Sequence, residues 1–546
     1  MATSIQLRGA SQRIRANRCR QARPRRAAPL LLYAALSCSV AHADDVARQP
    51  AAPGLDGSEL SLKAALLTAL RLHPSLALAQ NAVQAREADV LASQAAFDPF
   101  VETTLGHNRD AHYLSSAERT YPQARSTSTH TSLLGVSAGL ATHWGTRIEP
   151  ALTLQRVQQT LGTVAGESSL PAAQQAVVGL KISQSLLRGR GVIGTASELY
   201  AARHARAAAV ESAVHAAQLQ VLDTMVAYFK LVQADRNLSS FRESAARTER
   251  LFQETEVLVE AEHRTRADLR QVDASLANQR SLLLTAQSDL SLARIELALA
   301  MGLDGREALE WLPSDGFPRA HSGEPEAQGI VDRSLDVRHD LRAARASTRA
   351  ASTLLAGAER NTSPLLDLEL SIGYVGGRNQ DGIGSFLTSP AYNIPGVNGG
   401  ATLKLQLPVQ NAAARARVER TRADERSALV QQRDVARRVS AGVRGALADM
   451  RMSALAVTEA ARAVELLERL VVDERDKLRE GLSTIIDVVF TEERLTQARL
   501  THVARQYRYA VAWAQLQYES GALPSQETAL LAASYDLLPS ERADEP

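Results

Sequence analysis

The sequence predicts a mainly α protein with a membrane β-barrel: a long coiled-coil helical tunnel, strands that close a barrel only when copies share it, and an internal two-fold repeat. Three observations carry that fold class. Two alanine-rich amphipathic stretches, Leu76 to Leu105 and Leu341 to Leu370, lie 265 residues apart, and each runs into a proline, Pro99 and Pro364. Heptad stripes fill long segments that lack helix breakers. The segments after the two prolines alternate apolar and polar residues, the period of a strand with two unlike faces.

Composition agrees with long helices: 45% of residues are hydrophobic but only 4% aromatic. The first 43 residues are a separate text. Eight arginines from Arg8 to Arg26 stand without an acid, an apolar stretch Pro29 to Leu36 follows, and Ala41-His42-Ala43 has the A-x-A form. That order predicts a secretory signal peptide over 1–43, followed by a linker over 44–57. A disordered basic arm for nucleic acid is the other reading, and the order of features speaks against it. Without those eight charges the formal net charge goes from +2 to −6. Both cysteines, Cys19 and Cys38, fall in this segment, so no disulfide or thiolate metal site is expected beyond it. Ala35-Leu36-Ser37-Cys38 faintly resembles a lipoprotein box, which leaves lipidation of Cys38 open. No run of 18 apolar residues follows, so a spanning helix is not expected.

The repeat divides the rest into 58–328 and 329–523, with a tail over 524–546. In the second copy Leu366, Leu368, Leu370, Ile372 and Tyr374 face one way, and Asp367, Glu369, Ser371 and Gly373 the other. A returning strand begins near Ala401, and Val178 opens its counterpart, with Leu180-Lys181 matching Leu403-Lys404. The first copy is longer here. Val136, Ala138, Leu140 and Trp144 alternate with small or polar residues before a turn at Gly145-Thr146, which predicts an extra hairpin over 136–155 of undecided location.

Residues 195–301 contain neither glycine nor proline, and no proline interrupts 409–523. Leu269, Leu276, Leu283, Leu290 and Leu297 recur at every seventh position, and Val464, Leu467, Val471 and Leu478 step by three, four and seven. An arm of about 64 residues would reach roughly 95 Å at the helical rise. Few strands per chain cannot close a conducting barrel, whereas several chains each donating a sheet can.

Three motifs then carry a family resemblance: "LSLKAALLTALRLHPSL" (Leu60 to Leu76), "SQSLLRGRG" (Ser183 to Gly191) and "REGLSTIIDVV" (Arg479 to Val489). Their order over residues 58–523 resembles the TolC-type outer membrane efflux protein (outer membrane factor) family. The resemblance implies a homotrimer with its barrel in the outer membrane of a Gram-negative bacterium and its helical tunnel in the periplasm. It also implies a periplasmic adaptor (membrane fusion) protein and an inner-membrane transporter as partners, with outer-membrane lipid around the barrel. The function implied is the passive exit duct of a tripartite efflux or type I secretion system, gated at its periplasmic aperture.

Candidate gate residues follow. Asp487, after Gly481, and Asp268, after "EAEHRTRA", each end a connection between two coiled helices. By resemblance Asp487 aligns with an aspartate lining the closed aperture, and Asp268 with an acid in the network beside it. A ring of three such carboxylates favours cations and titrates above an isolated aspartate. A helix cap or first-turn acid is the bland alternative for both. Where the family pattern has a second aspartate, this chain has Phe490. Leu478 and Ser483 stand where the family's tyrosine and arginine gate partners fall, and Glu262 replaces the turn glycine of the first copy.

Arg338, Arg342, Arg345 and Arg349 read as a solvated helix face, with an adaptor-docking groove as the alternative. His73 before Pro74 reads as a helix-turn marker. No phosphate loop, metalloprotease motif, nucleophile elbow or catalytic carboxylate pair is found, so no enzyme, cofactor, metal site or nucleic-acid partner is expected. Two other protein classes remain as alternatives, a periplasmic adaptor and a structural coiled coil. Tandem hairpins and membrane-type strands argue against both.

Overall fold

The computed structural model describes residues 59–116, 123–304, 310–320, 326–379 and 382–525. The expected signal peptide, the linker, Cys38 and nearly all of the expected tail lie outside the described residues.

The chain is built twice from the same parts. A short helix and a longer one lead into strands: α1 (Leu62–Leu72) and α2 (Pro74–Gln94) in the first copy, α5 (Ala327–Val337) and α6 (His339–Arg360) in the second. After the strands comes a helical hairpin, α3 (Gly191–Glu260) with α4 (Arg266–Met301), then α8 (Ala412–Arg479) with α9 (Ile485–Glu519). The 70 residues of α3 span about 105 Å at 1.5 Å each, longer than the heptad count alone predicts. Such a helix is held by packing along its length. Helices α2 and α6 lie against its first half, α4 and α9 against its second. Leu276, Leu290 and Leu297 of the leucine stripe are buried, as are Val221, Met225 and Val232 opposite.

The main core sits midway, where α1, α3, α4 and α9 meet around Tyr228, Phe229, Met225 and Trp311. Tyr228 donates to the Leu60 carbonyl at 3.0 Å and accepts from the Asp315 amide at 3.1 Å, tying in the two-stranded parallel sheet of β1 (Glu59–Leu60) and β7 (Leu312–Pro313). Burial pushes this phenol far above its ordinary pKa.

Two equivalent joints flank this core. His73 separates α1 from α2, its Nδ1 accepting from the Ser75 amide at 3.3 Å, so it caps a helix as its sequence context predicts. Its counterpart 265 residues on is Arg338, between α5 and α6. Each joint receives the glycine that ends a tip hairpin. Gly302 (φ 82°) and Gly521 (φ 75°) both adopt the left-handed conformation. A Cβ on Gly302 would lie 2.7 Å from the His73 Cα, so the close approach itself requires glycine.

One antiparallel sheet completes the molecule. Its order is β2 (Phe100–Tyr113), β3 (Ala124–Ala141), β4 (Thr146–Thr163), β6 (Ala173–Ser185), β8 (Leu365–Arg378) and β9 (Val397–Gln406), with the short β5 (Gly166–Ser169) paired to β4. The extra hairpin is therefore β3–β4, set between the two strands of the first copy. It is also longer than expected. Beyond Leu133 and Gln155 both faces turn polar (Ser126, Thr127, Ser128, Thr129), so alternation of hydropathy could not trace strands that β-branched threonines continue.

Register lines up rows across the sheet. Leu140, Ile148, Ile182 and Leu370 share one row, and Val136, Leu152, Val178 and Tyr374 another. The next rows bound this apolar belt: His107, Ser132, Arg156, Gln174 and Arg378 at one end, and Thr146 and Gln184 at the other. From Ser132 to Thr142 the strand covers about 34 Å, or about 26 Å along the normal at a tilt near 40°. That height is the apolar band of a membrane barrel. The opposite face carries Arg147, Glu149, Lys181, Asp367, Glu369 and Lys404, with Lys181 Nζ 3.3 Å from Glu369. The fold class predicted from the repeat, the heptads and the alternation is the one observed.

Candidate functional site

The two hairpin tips are built by one recipe. At the end of α8 the Gly481 amide donates to the Leu478 carbonyl at 3.2 Å, and the Leu482 amide to Lys477 at 2.8 Å. At the end of α3 the Glu262 amide donates to Val259 at 3.1 Å and the His263 amide to Leu258 at 2.9 Å. Both are Schellman closures, which place the residue at Gly481 and Glu262 in the left-handed region. Gly481 has φ 77° and Glu262 φ 57°. A side chain there costs on the order of 1 kcal/mol. Glu262→Gly is therefore expected to raise the unfolding free energy by about 1 kcal/mol, read by denaturant titration; an unchanged midpoint contradicts it.

Each tip then starts its second helix with a capping box, T-x-x-D. The Asp487 amide donates to Thr484 Oγ1 at 3.3 Å, while an Asp487 carboxylate oxygen accepts from the Thr484 amide at 3.0 Å and from its hydroxyl at 2.5 Å. Asp268 and Thr265 exchange the same pair of bonds, both at 3.2 Å. The cap role is thus present in both acids. The Thr484 hydroxyl and amide hold the Asp487 carboxyl below its ordinary range, the direction opposite to that expected of a carboxylate ring. All these bonds fall on one oxygen, Oδ2, and the side chain is exposed.

Around Asp487 the other candidates separate. Gly481 is the turn, and Phe490 is 57% exposed one helical turn beyond Asp487. Leu478 points the other way, packing against the small core of Leu251, Val272, Ile485, Val488 and Val489 that joins the hairpins. Ser483 donates to Glu474, and its hydroxyl sits 3.5 Å from Asp487. So Ser483 does join a hydrogen-bonded cluster at the tip, although it cannot replace a guanidinium.

Buried polar ties between the two hairpins lie one to two turns above, where the sequence reading names no residue. Glu492 of α9, 7% exposed, accepts from Arg247 of α3 at 2.8 Å and from Arg475 of α8 at 2.6 Å. Beside it Ser244 lies 2.9 Å from Thr496, Ser275 donates to Glu493 at 3.3 Å, and Arg499 bridges Glu243 and Glu468 at 2.5 and 2.6 Å. A clue was present: Ile485, Val488, Val489, Glu492 and Leu495 follow helical spacing, which sets one acid on an apolar face.

The arginine stripe is not one solvated face: Arg342 and Arg349 are exposed, and Arg338 is buried. Arg338 is not solvated but 4% exposed, held by Asp340 at 2.7 and 3.0 Å and by Glu519 at 2.8 Å, and stacked on Tyr518 at 4.4 Å. Arg342 and Arg345 instead cap the carbonyls of Asp336 and Leu335. Among the described residues no group of His, Cys, Asp or Glu is arranged to hold a metal, and no helix is long and apolar enough to cross a membrane.

Paired long helical hairpins joined to a sheet with an apolar belt define the fold class: a helical-tunnel chain with a membrane-type sheet. Residues 330–522 match the family described as outer membrane efflux protein, and this match coincides with the second copy of the repeat. The family likeness is therefore carried by that copy. No curated relative matches the sequence. Among solved structures the chain is similar to the outer-membrane channel OprN, with a TM-score of 0.62 at 15% identity over 85% of this chain and 91% of that one. The Campylobacter jejuni CmeC outer membrane channel gives 0.59 at 13% identity, over 87% and 89%. The outer membrane protein VceC from Vibrio cholerae gives 0.59 at 17% identity, over 84% and 96%.

Proposed function

We propose that three copies of this chain form the exit duct of a tripartite efflux or type I secretion system in the outer membrane of a Gram-negative bacterium. One observation carries the reading. Strands β2 and β9 are the two edges of the sheet, exposed along their whole length, and one face of that sheet is an apolar belt of membrane height. Open edges are unstable in lipid, which satisfies no backbone group, so β9 of each copy pairs with β2 of the next until the ring closes. The mixed-charge face then lines the lumen. Trp144, 69% exposed in the β3–β4 turn, sits at the belt's lower rim, the position of an interfacial aromatic.

The helices continue the ring into the periplasm, where the tips meet an adaptor protein and an inner-membrane transporter that supplies the energy. Transport through the duct itself is passive. In the trimer Asp487 supplies one carboxylate per copy to the aperture, its Oδ1 directed to the pore while Oδ2 keeps the cap, and Phe490 adds an apolar collar. The Arg247–Glu492–Arg475 cluster holds each copy's hairpins together in the closed state.

Planar-bilayer recording of purified protein tests this. Asp487→Ala should lose cation preference or conduct more, and Asp268→Ala, which removes an equal cap of about 1 kcal/mol, should not. Equal effects of the two variants would assign Asp487 to the cap alone. No channel from wild type would remove the duct.

A further inference from the structure

The two copies of the repeat donate unequal numbers of strands. The second gives β8 and β9; the first gives β2 and β6 with β3 and β4 inserted between them. The insert is not a flap beside the sheet. It is hydrogen-bonded on both sides in continuous register, from Thr103 to Val136, Leu152 and Val178. Its outward residues Leu134, Val136, Leu140, Ile148, Leu152 and Leu154 fill the same apolar rows as those of β6 and β8, and end at the same polar row. The inward side is mostly polar, with Thr129, Thr131, Ser137, Thr153 and Gln155 and the charged pair Arg147 and Glu149 beside a single Leu133. Both faces therefore meet the demands of a barrel wall.

We infer that the β3–β4 hairpin widens the membrane barrel, so that the outer mouth does not sieve what the helical tunnel admits. This rests on the trimeric duct proposed above. Three sheets of six strands give an eighteen-stranded cylinder. Strands about 4.8 Å apart and tilted near 40° make it about 36 Å across between backbones, against about 24 Å for the twelve strands of a trimer without the insert. Between the main core and the sheet the helical ring has four helices per copy, α2, α3, α6 and α8. Twelve helices about 9–10 Å apart form a ring about 36 Å across between axes. The inserted hairpin thus brings the barrel to the width of its own tunnel, and size selection is left to the tips.

The removal of residues 124–163 is structurally simple, because β2 and β6 run antiparallel and the end of β2 and the start of β6 lie at the same end of the sheet. End-on electron-microscopic averages of detergent-purified wild type should show a threefold ring about 36 Å across at the β end, shrinking to about two thirds of that width in the deletion variant. A wild-type ring of about 24 Å would overturn the widening and leave the duct intact. Absence of any closed threefold ring in wild type would overturn both. If the deletion variant fails to assemble, the wild-type diameter alone decides.

Discussion

Arg338→Ala lowers the unfolding free energy by about 3–5 kcal/mol, because it strands two carboxylates in the interior. The guanidinium satisfies Asp340 through two bonds and Glu519 through one, donates to the Tyr518 carbonyl at 3.3 Å, and covers the Tyr518 ring. Burial lowers the pKa of this arginine, but the Asp340 bonds and charge outweigh it and raise the net value. Burial likewise pushes Asp340 up, and Arg338 more than offsets that and holds it below the usual carboxylate range. A depressed carboxylate stabilises the fold above its unfolded pKa of about 3.9, so this contribution is complete at neutral pH and disappears as pH falls through the folded value. Arg338 is also the joint between α5 and α6 that receives Gly521, so its loss loosens the middle of the tunnel. Denaturant unfolding of detergent-solubilised protein measures the effect. A cost under about 1 kcal/mol would mean that water already reaches the cluster.

Glu492→Ala frees the tip. It leaves Arg247 and Arg475 facing each other, partly buried and of like charge, and removes the anion that ties α9 to α3 and α8. A loss of about 2–4 kcal/mol in hairpin association is expected, the range for breaking a buried pair with one half-exposed partner. In the proposed duct that is enough to move a closed aperture to a largely open one, since about 1.4 kcal/mol is a tenfold change in population. Single-channel recording should show a severalfold larger conductance and a higher open fraction. Replacing Arg247, Glu492 and Arg475 together by leucine or methionine should restore closure, because an apolar cluster of similar volume holds without the charges. If Glu492→Ala conducts like wild type, the clasp lies elsewhere.

The tips were legible because their chemistry is local. A glycine, a threonine and an aspartate at fixed spacing announce a Schellman turn and a capping box, and the same spacing in "EHRTRAD" exposes Glu262 as the residue forced into the glycine's place. Strands β8 and β9 were legible because one face touches apolar surroundings and the other polar ones. The upper halves of β3 and β4 were not, since serine and threonine occupy both faces there. Glu492 and Arg338 stayed hidden for a different reason. Apart from Asp340, two residues from Arg338, the partners named lie 17 to 245 residues away, and a charge on an amphipathic helix reads as solvated until the opposing helix is known. The 265-residue offset that aligns His73 with Arg338 is the signal in the sequence that sets Arg338 at a joint and apart from the solvated stripe.

Disulfide trapping tests the closed cylinder most directly, and no residue beyond Cys38 is a cysteine, so the background is clean. Leu403→Cys on β9 is combined with cysteine at Val101, Thr103 or Leu105 on β2 in intact outer membranes, and Leu368→Cys with Leu403→Cys serves as the control for a correctly paired sheet. Because all three junctions link at once, at least one β2–β9 pair should yield covalent trimers on oxidation, and neither single variant should. Efficient closure of the control within one chain, with every β2–β9 pair remaining monomeric, would contradict the account.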